Sequence, residues 1–226
     1  MNRNKELINY LSGFVTPDRM SLFQKVVSMR SKYITVALEN IYQSQNASAV
    51  LRTCDCFGVQ NVHIIENSNT FEINPDVALG SSKWLTLHNY NQHKNNTLDA
   101  IQSIRKKGYR IVATTPHTDD VTLENFDLNK GPVALFFGTE LNGLSQQVID
   151  NADEFLKIPM VGFTESLNIS VSAAVILHFL SFQLHQLDVQ WKLTENEQDE
   201  LLIDWLRTSI RKGDSLVDNF FKNNPN

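Results

Sequence analysis

The sequence predicts an α/β domain with a parallel, Rossmann-like sheet and helical extensions at both ends. Short apolar runs rich in β-branched residues, such as Ile34–Leu38 and Val133–Phe137, alternate along the chain with longer helical stretches. Strands that are connected through helices pair in parallel, and the helices then cover both faces of the sheet. Beyond this alternation, Leu202, Trp205 and Leu206 recur at helical spacing, which indicates a helix near the C-terminal end.

The elements can be placed along the chain from local signals. Helices are predicted where apolar residues recur at helical spacing, over Asn4–Phe14, Pro17–Arg30, Ala47–Phe57, Asn96–Lys107, Asn168–Leu187 and Glu197–Lys212. Strands are predicted at the short apolar runs Ile34–Leu38, Val62–Ile65, Trp84–His88, Arg110–Ala113, Val133–Phe137 and Leu156–Ile158. We therefore expect three regions: a helical extension over 1–32, the sheet domain over 33–190, and a second helical extension over 191–226.

Composition narrows the class of protein. The chain has 226 residues, of which 42% are hydrophobic, and this is enough for one sizeable core. No apolar run is long enough to span a bilayer, and Met1–Asn9 lacks the apolar segment of a secretory signal. Cys54 and Cys56 are too close together for an ordinary structural disulfide. We expect a reduced, cytoplasmic protein without a membrane partner.

The charge of the chain is unevenly distributed. The net charge of −5 argues against a nucleic-acid partner, yet residues 1–32 contain six basic and two acidic side chains. That segment carries +4, which leaves −9 on the remainder. A basic arm on an acidic body can contact phosphate groups. The alternative is a solvated helix face with a chance excess of lysine and arginine.

The first polar motif, at residues 46–52, follows a predicted strand and opens a helix. Asn46 is a candidate for the N-cap, and Ser48, Arg52 and Asp55 form a polar stripe at helical spacing. A guanidinium offers a rigid fork of donors to a phosphate or to a developing oxyanion. The alternative is a surface ion pair between Arg52 and Asp55.

The second motif, at residues 137–145, is a loop directly after a predicted buried strand. Gly138 and Gly143 flank it, and glycines there let the backbone approach a ligand closely. Glu140 lies in its middle. The pattern matches neither a dinucleotide fingerprint nor a phosphate-binding P-loop. The alternative is an ordinary strand–loop–helix corner in which Ser145 caps the helix.

The third motif, at residues 158–174, combines a glycine-containing loop with a Ser-Leu-Asn turn and a helix. The helix opens with small residues, which allow another backbone to come very close: Ser170, Ser172, Ala173 and Ala174. This closeness would suit a ligand-binding loop. Close helix packing alone is a serious alternative.

In this order and spacing, the three segments resemble the signature motifs of the SPOUT superfamily of methyltransferases. The matching patterns are Asn-x-x-x-x-x-Arg, then Phe-Gly-x-Glu-x-x-Gly-x-Ser, then Ile-Pro-Met-x-Gly-x-x-x-Ser-Leu-Asn-x-Ser-Val. The segments Ser82–Trp84 and Asp204–Arg207 are similar to the TrmH branch, whose members methylate a guanosine ribose in the tRNA D-loop. The resemblance covers nearly the whole chain, from about Leu22 to Arg211.

This resemblance implies a fold, a cofactor and a set of site residues. The C-terminal part of the sheet domain would form a deep trefoil knot that binds S-adenosylmethionine, and the chain would act as a homodimer. The implied cofactor-binding residues are Thr114, Gly138, Ile158, Met160 and Leu167. Arg52 would act on the ribose hydroxyl, and the other implied catalytic positions are Asn46, Glu140, Ser166 and Asn168. No metal is expected, because the leaving group departs neutral and no histidine has metal-ligand spacing.

The substrate implied by the resemblance is tRNA, at a D-loop guanosine. The chain differs from the TrmH pattern at Gln45, where a histidine is usual, and late on the third-motif helix, where Phe182 and Leu184 replace arginines that contact tRNA. We therefore expect the basic residues near the N-terminus to bind RNA: Arg19, Lys25, Arg30 and Lys32. The alternatives are 2'-O-methylation of ribosomal RNA and a non-catalytic RNA-binding dimer.

Overall fold

The computed structural model describes residues 3–116, 121–139 and 142–224. The chain divides into two compact units. One spans Ser31–Trp191 and contains the sheet, and the other combines residues 3–30 with residues 192–224. Within the described residues, no helix is both long and apolar enough to cross a bilayer.

The sheet of the first unit is entirely parallel. Its strands, over the part of the chain that the structure describes, are β1 (Ile34–Glu39), β2 (Asn61–Ile65), β3 (Thr86–Tyr90), β4 (Arg110–Thr114), β5 (Val121–Thr122), β6 (Val133–Phe137) and β7 (Glu154–Lys157). Their order across the sheet is β3-β2-β1-β6-β4-β7-β5. The predicted parallel α/β sheet is confirmed. Because the strands are parallel, their carboxyl ends lie at the same edge of the sheet. Strand β4 lies between β6 and β7, so the carboxyl ends of these three strands are adjacent there.

The helices described in both units follow the predicted order. They are α1 (Arg3–Ser12), α2 (Pro17–Val27), α3 (Ser44–Cys56), α4 (Pro75–Ala78), α5 (Thr97–Lys106), α6 (Gln146–Asn151), α7 (Ile169–Leu184), α8 (Glu195–Ser209) and α9 (Gly213–Asn223). The short helices α4 and α6 and the last helix α9 were missed, because a few residues carry little periodicity. The predicted strand at Trp84–His88 is wrong at its start, since residues 81–84 form a 3-10 turn and β3 begins at Thr86.

Alternation along the central strands builds two cores. Val36 and Leu38 of β1 face a core shared with α3 and α7, whereas Ala37 faces a core shared with α5 and α6. All residues of β1 and β6 are buried. A strand buried on both faces is mostly apolar along its whole length, and this explains the nearly continuous apolar runs in the sequence.

The terminal segments pack on each other as a helical unit. Phe23 of α2 lies edge-on to Trp205 of α8, with 5.9 Å between ring centroids, and Lys5 of α1 forms an ion pair with Glu195. Thr194 and Glu197 form a capping box that starts α8. The two predicted extensions are therefore distant in sequence but share one apolar core.

Two histidines are paired across β2 and β3: His63 is buried and His88 is partly buried. The rings of His63 and His88 stack with centroids 4.7 Å apart, and His63 Nδ1 is 3.0 Å from the Tyr90 hydroxyl. Burial, reinforced by the neighbouring His88, lowers the pKa of His63 from 6.5 to about 3. Burial also lowers the pKa of His88 to about 4. At neutral pH both rings are therefore uncharged.

This pair predicts a loss of stability in mild acid. Below pH 6.5 the unfolded chain binds a proton that the folded chain excludes, so the free energy of unfolding falls as the pH drops toward 3. For His63 the expected slope approaches about 1.4 kcal/mol per pH unit. Urea unfolding between pH 7.5 and 5 measures it, and His63→Phe, which cannot titrate, should flatten the dependence. Equal slopes for the two proteins would contradict the assignment.

Candidate active site

A cavity of about 370 Å³ opens at the carboxyl edge of the sheet. Thr114, Phe137 and Leu156 line it from β4, β6 and β7. The start of α7 closes another side through Ile169 and Ser172. Ligands of open parallel sheets bind at this edge, because the loops that leave the strands converge there. The volume is suitable for a small-molecule cofactor.

The cavity brings together the five residues expected to bind the cofactor. Thr114, Gly138, Ile158, Met160 and Leu167 all line its wall, although they come from three separate segments. Ser166, one of the expected catalytic residues, lines it as well. The Thr114 hydroxyl donates a hydrogen bond of 2.7 Å to the Phe136 carbonyl oxygen, which fixes its orientation at the end of β4.

The second motif forms a tight loop at the cavity wall. Thr139 and Gly143 exchange two backbone hydrogen bonds of 2.9 Å, and Gly143 adopts a φ of +65°. A Cβ atom on Gly138 would lie 2.1 Å from the Gly143 carbonyl oxygen. Both glycines are thus required by the local backbone, one for space and one for conformation. Glu140, the expected catalytic residue of this loop, lies outside the described residues.

The first and third motifs meet at two asparagines. Asn168 Nδ2 donates to Asn46 Oδ1 over 3.3 Å, and Asn46 Nδ2 donates to Gln43 Oε1 over 2.9 Å. Asn168 also caps α7, because its side-chain oxygen accepts the Ser170 N–H. The prediction that Asn46 caps α3 is wrong. The helix begins at Ser44, so Asn46 lies in its first turn and its side chain is free to contact the third motif.

Arg52 is exposed on α3 and is not among the residues that line the cavity. Its guanidinium makes no hydrogen bond or ion pair with residues 3–116, 121–139 or 142–224. The surface pair with Asp55 that helical spacing allows is absent from this structure. Ser48, four residues earlier, is buried and accepts the Asn74 N–H over 2.8 Å. Within this polar stripe, Ser48 therefore stabilises the local fold, whereas the Arg52 guanidinium has no hydrogen-bond or ion-pair partner among the described residues.

A buried carboxylate, Glu39, was missed in the sequence. It ends β1 and is 3% exposed. Its oxygens accept the Ser145 hydroxyl at 2.6 Å, the Ser145 N–H at 2.8 Å and the Thr97 hydroxyl at 2.6 Å. The available signal was a glutamate that ends an otherwise apolar strand. The same contacts show that Ser145 does cap α6, since its hydroxyl oxygen also accepts the Val148 N–H.

The four basic residues expected to bind RNA differ in exposure. Arg19 and Lys25 are exposed on α2, and Lys32 is partly exposed in the sheet-containing unit. Arg30 is 2% exposed, and its guanidinium carbon lies 5.3 Å from the centroid of the Trp205 ring. The expectation for Arg30 is therefore corrected: its cation packs on an aromatic face and cannot reach a phosphate in this structure.

No cluster of metal-ligating side chains is present among the described residues. The polar side chains that line the cavity carry hydroxyls, one amide and one carboxylate, and they belong to Thr114, Thr115, Thr139, Asn142, Glu165, Ser166 and Ser172. Such groups bind and orient organic ligands.

Comparison with known proteins connects these features to a family. Residues 33–178 match the SpoU rRNA methylase family. The tRNA (guanosine(18)-2'-O)-methyltransferase of Borreliella burgdorferi is 42% identical over 204 residues, which are 90% of this chain and 91% of that protein. The enzyme of the same name from Thermus thermophilus is 32% identical and covers 85% of this chain and 97% of its own length.

The fold agrees with this relationship. The crystal structure of the TrmH/SpoU tRNA modifying enzyme of Aquifex aeolicus superimposes with a TM-score of 0.75 at 28% identity, and covers 86% of this chain and 98% of its own. The family match spans more than half of the chain, and it contains all three motifs, of which the second and third line the cavity. The chain therefore belongs to the SpoU methylase family, as the resemblance of its motifs indicated.

Proposed function

We propose that this protein transfers a methyl group from S-adenosylmethionine to the ribose 2'-oxygen of a D-loop guanosine in tRNA. The observation that carries the proposal is the cavity at the carboxyl edge of the sheet, which all three family motifs help to build or adjoin. The identity of the methylated nucleoside, a guanosine, is proposed from the relatives. They are named as guanosine-18 methyltransferases and match this chain along nearly its whole length. A tRNA substrate also supports a cytoplasmic location.

The cofactor would bind in the motif loops, which we propose form a deep trefoil knot. Strand β7 is inserted between β4 and β5, two strands that precede it in the chain. Such an insertion supports threading of the segment that follows β7. Backbone groups of Gly138, Ile158 and Leu167 line the cavity and would hold the adenosine and amino-acid parts of the cofactor.

The chemistry requires an activated hydroxyl. When bound, S-adenosylmethionine would supply a methyl group carried on its sulfonium sulfur. As the new C–O bond forms, the sulfur would leave as a neutral thioether and the hydroxyl would lose its proton. A guanidinium stays protonated, so Arg52 would stabilise the forming alkoxide and orient an adjacent phosphate rather than take the proton. Ser166, on the cavity wall, or Glu140 would pass the proton onward.

We propose further that the active unit is a homodimer assembled on α7. Val171, Val175 and Phe182 are 46%, 39% and 63% exposed, and they share one side of this helix. Leu177, Leu180 and Leu184 on its other sides are buried in the core. A row of exposed apolar side chains on an otherwise buried helix supports an interface with a second copy.

Replacing Arg52 tests the proposed chemistry. Arg52→Ala removes the donor fork from an exposed side chain that makes no hydrogen bond or ion pair with the described residues, so folding should be unchanged. We expect kcat for tRNA methylation to fall by about 100-fold or more, with the S-adenosylmethionine Kd and the Tm as in the unchanged protein. Arg52→Lys, which keeps the charge but loses the fork, should remain impaired. Turnover of Arg52→Ala near that of the unchanged protein would refute the role.

The product identifies the substrate. Nucleoside mass mapping of tRNA treated with the protein should show a 2'-O-methylguanosine in the D-loop. Methylation confined to ribosomal RNA would favour the rRNA alternative, and binding of RNA without transfer would favour the non-catalytic dimer.

Disrupting the exposed row on α7 tests assembly. Light scattering at micromolar concentration should give twice the chain mass of 25.8 kDa for the unchanged protein. Phe182→Glu places a charge in the proposed interface and should give a monomer with reduced activity. Leu98→Glu is the matched control, since Leu98 is 41% exposed on α5 away from this row. A monomeric unchanged protein would overturn the proposal.

The basic face of α2 is proposed to bind the tRNA backbone. Removing the exposed cations with Arg19→Ala and Lys25→Ala should weaken tRNA affinity and reduce the salt slope of the association constant by up to about two. The affinity for S-adenosylmethionine should not change. A matched double variant, Lys106→Ala with Lys107→Ala, removes two cations at the end of α5. A larger effect from this second pair would move the RNA-binding surface to α5.

A further inference from the structure

Glu39 occupies an unusual position for a buried carboxylate. It lies at the end of the central strand β1, and none of the ion pairs among the described residues includes it. A buried charge is unfavourable unless hydrogen bonds replace its lost hydration. Here three hydrogen bonds do so, from the hydroxyl and N–H of Ser145 and from the hydroxyl of Thr97.

The directions of these hydrogen bonds are determined by the neighbouring donors. The Ser145 hydroxyl oxygen accepts the Val148 N–H, so its proton points to Glu39. The Thr97 hydroxyl oxygen accepts from Asn67 Nδ2 at 3.0 Å, so its proton also points to Glu39. The carboxyl group therefore accepts all three of these hydrogen bonds.

Ser145 is the residue through which Glu39 reaches the cavity. It directly follows Leu144, and the cavity wall includes Gly138, Thr139, Asn142, Gly143 and Leu144. One end of this loop is held by the backbone pair between Thr139 and Gly143. The other end is held by Glu39, 106 residues away in the chain.

Thr97 provides the opposite anchor. It opens α5, whose residues Ala100, Ile101 and Ile104 are buried in the core. Its hydroxyl touches the same carboxylate oxygen, Glu39 Oε1, as the Ser145 hydroxyl does. The carboxylate thus connects a loop at the cavity to α5, which is buried along one side in the core.

We propose that Glu39 is a positioning residue for the cofactor: through Ser145 it holds residues 142–145, at the cavity wall, in the conformation that receives S-adenosylmethionine. This inference rests on the proposed function. Glu39 does not line the cavity, so it acts through Ser145 and not by contact with the cofactor. Loss of the bridge should loosen one wall of the cofactor pocket while the sheet and the RNA-binding surface stay intact.

Calorimetric titration with S-adenosylmethionine tests the proposal on the full-length protein. Glu39→Gln keeps the shape of the side chain but replaces one acceptor oxygen with a donor that opposes the Ser145 or Thr97 donors. We expect its Kd for the cofactor to rise about tenfold or more. The KM for S-adenosylmethionine should rise in parallel, while the Kd for tRNA changes less than twofold.

Three further variants separate positioning from general stability. Ser145→Ala removes the hydroxyl on the cavity side and should weaken cofactor binding, whereas Ser145→Thr retains the hydroxyl and should restore it. Thr97→Val removes the donor on the α5 side. Glu39 remains at the end of β1 and keeps both hydrogen bonds from Ser145, so the cofactor Kd should rise less than it does in Ser145→Ala. Because Ser145 is only partly buried, Ser145→Ala carries the test even if Glu39→Gln fails to fold.

The outcomes are distinguishable. Normal cofactor affinity in Glu39→Gln or Ser145→Ala, with a binding-competent unchanged protein, would overturn this proposal alone. Equal losses in Ser145→Ala and Thr97→Val, accompanied by weaker tRNA binding, would also overturn it, since they would indicate a general loss of structure. Failure of the unchanged protein to bind S-adenosylmethionine would overturn the proposed function and this inference with it.

Discussion

Burial of β1 and β6 on both faces keeps charged side chains out of the interior of these two central strands, and the position of the site follows from that constraint. Val36 and Leu38 face one core while Ala37 faces the other, and the hydroxyl of Thr35 is satisfied by the Asn61 carbonyl oxygen. The polar groups near the cavity lie where strands end. Glu39 ends β1 and accepts a hydrogen bond from the Ser145 N–H. Thr114 ends β4 and its hydroxyl donates a hydrogen bond to the Phe136 carbonyl oxygen.

Parts of the cavity wall are fixed by specific local contacts. Gly138 has no space for a side chain beside Gly143, and Asn168 caps α7 while it contacts Asn46. Ordering of this kind lowers the entropy that a ligand would otherwise lose on binding. The SpoU methylase family motifs are thus restraints on loop shape as much as they are sources of reacting groups.

The two arginines Arg30 and Arg52 lie in opposite environments. Arg30 is buried against Trp205, whereas Arg52 is exposed and makes no hydrogen bond or ion pair with the described residues. A cation that packs on an aromatic ring contributes to folding, and a cation held in water remains available to an incoming phosphate. The acidic balance of the chain, −5 overall, would repel RNA at most surfaces and favour approach at the few exposed basic ones.

The sequence by itself determined the features that depend on neighbours along the chain. The apolar runs that became β1 and β6 and the helical spacing of α5 and α7 belong to this group. Each rests on local hydrogen bonding or periodicity, which a short segment already contains. The resemblance to the family, which the order and spacing of the motifs made specific, also implied five residues that line one cavity. Short elements such as α6 and β5 were missed because they offer too few residues for a period.

Only the tertiary structure decided which distant groups meet. Glu39 and Ser145 are 106 residues apart, and Asn46 and Asn168 are 122 apart. Periodicity states which side of an element is apolar, but it does not say which other element covers that side or which polar group shares its end. The burial of Arg30 depends on a tryptophan far along the chain, and the role of Asn46 depends on α3 starting at Ser44. Such pairings form only when strands take their places in the sheet, so the packing of the whole chain selects them.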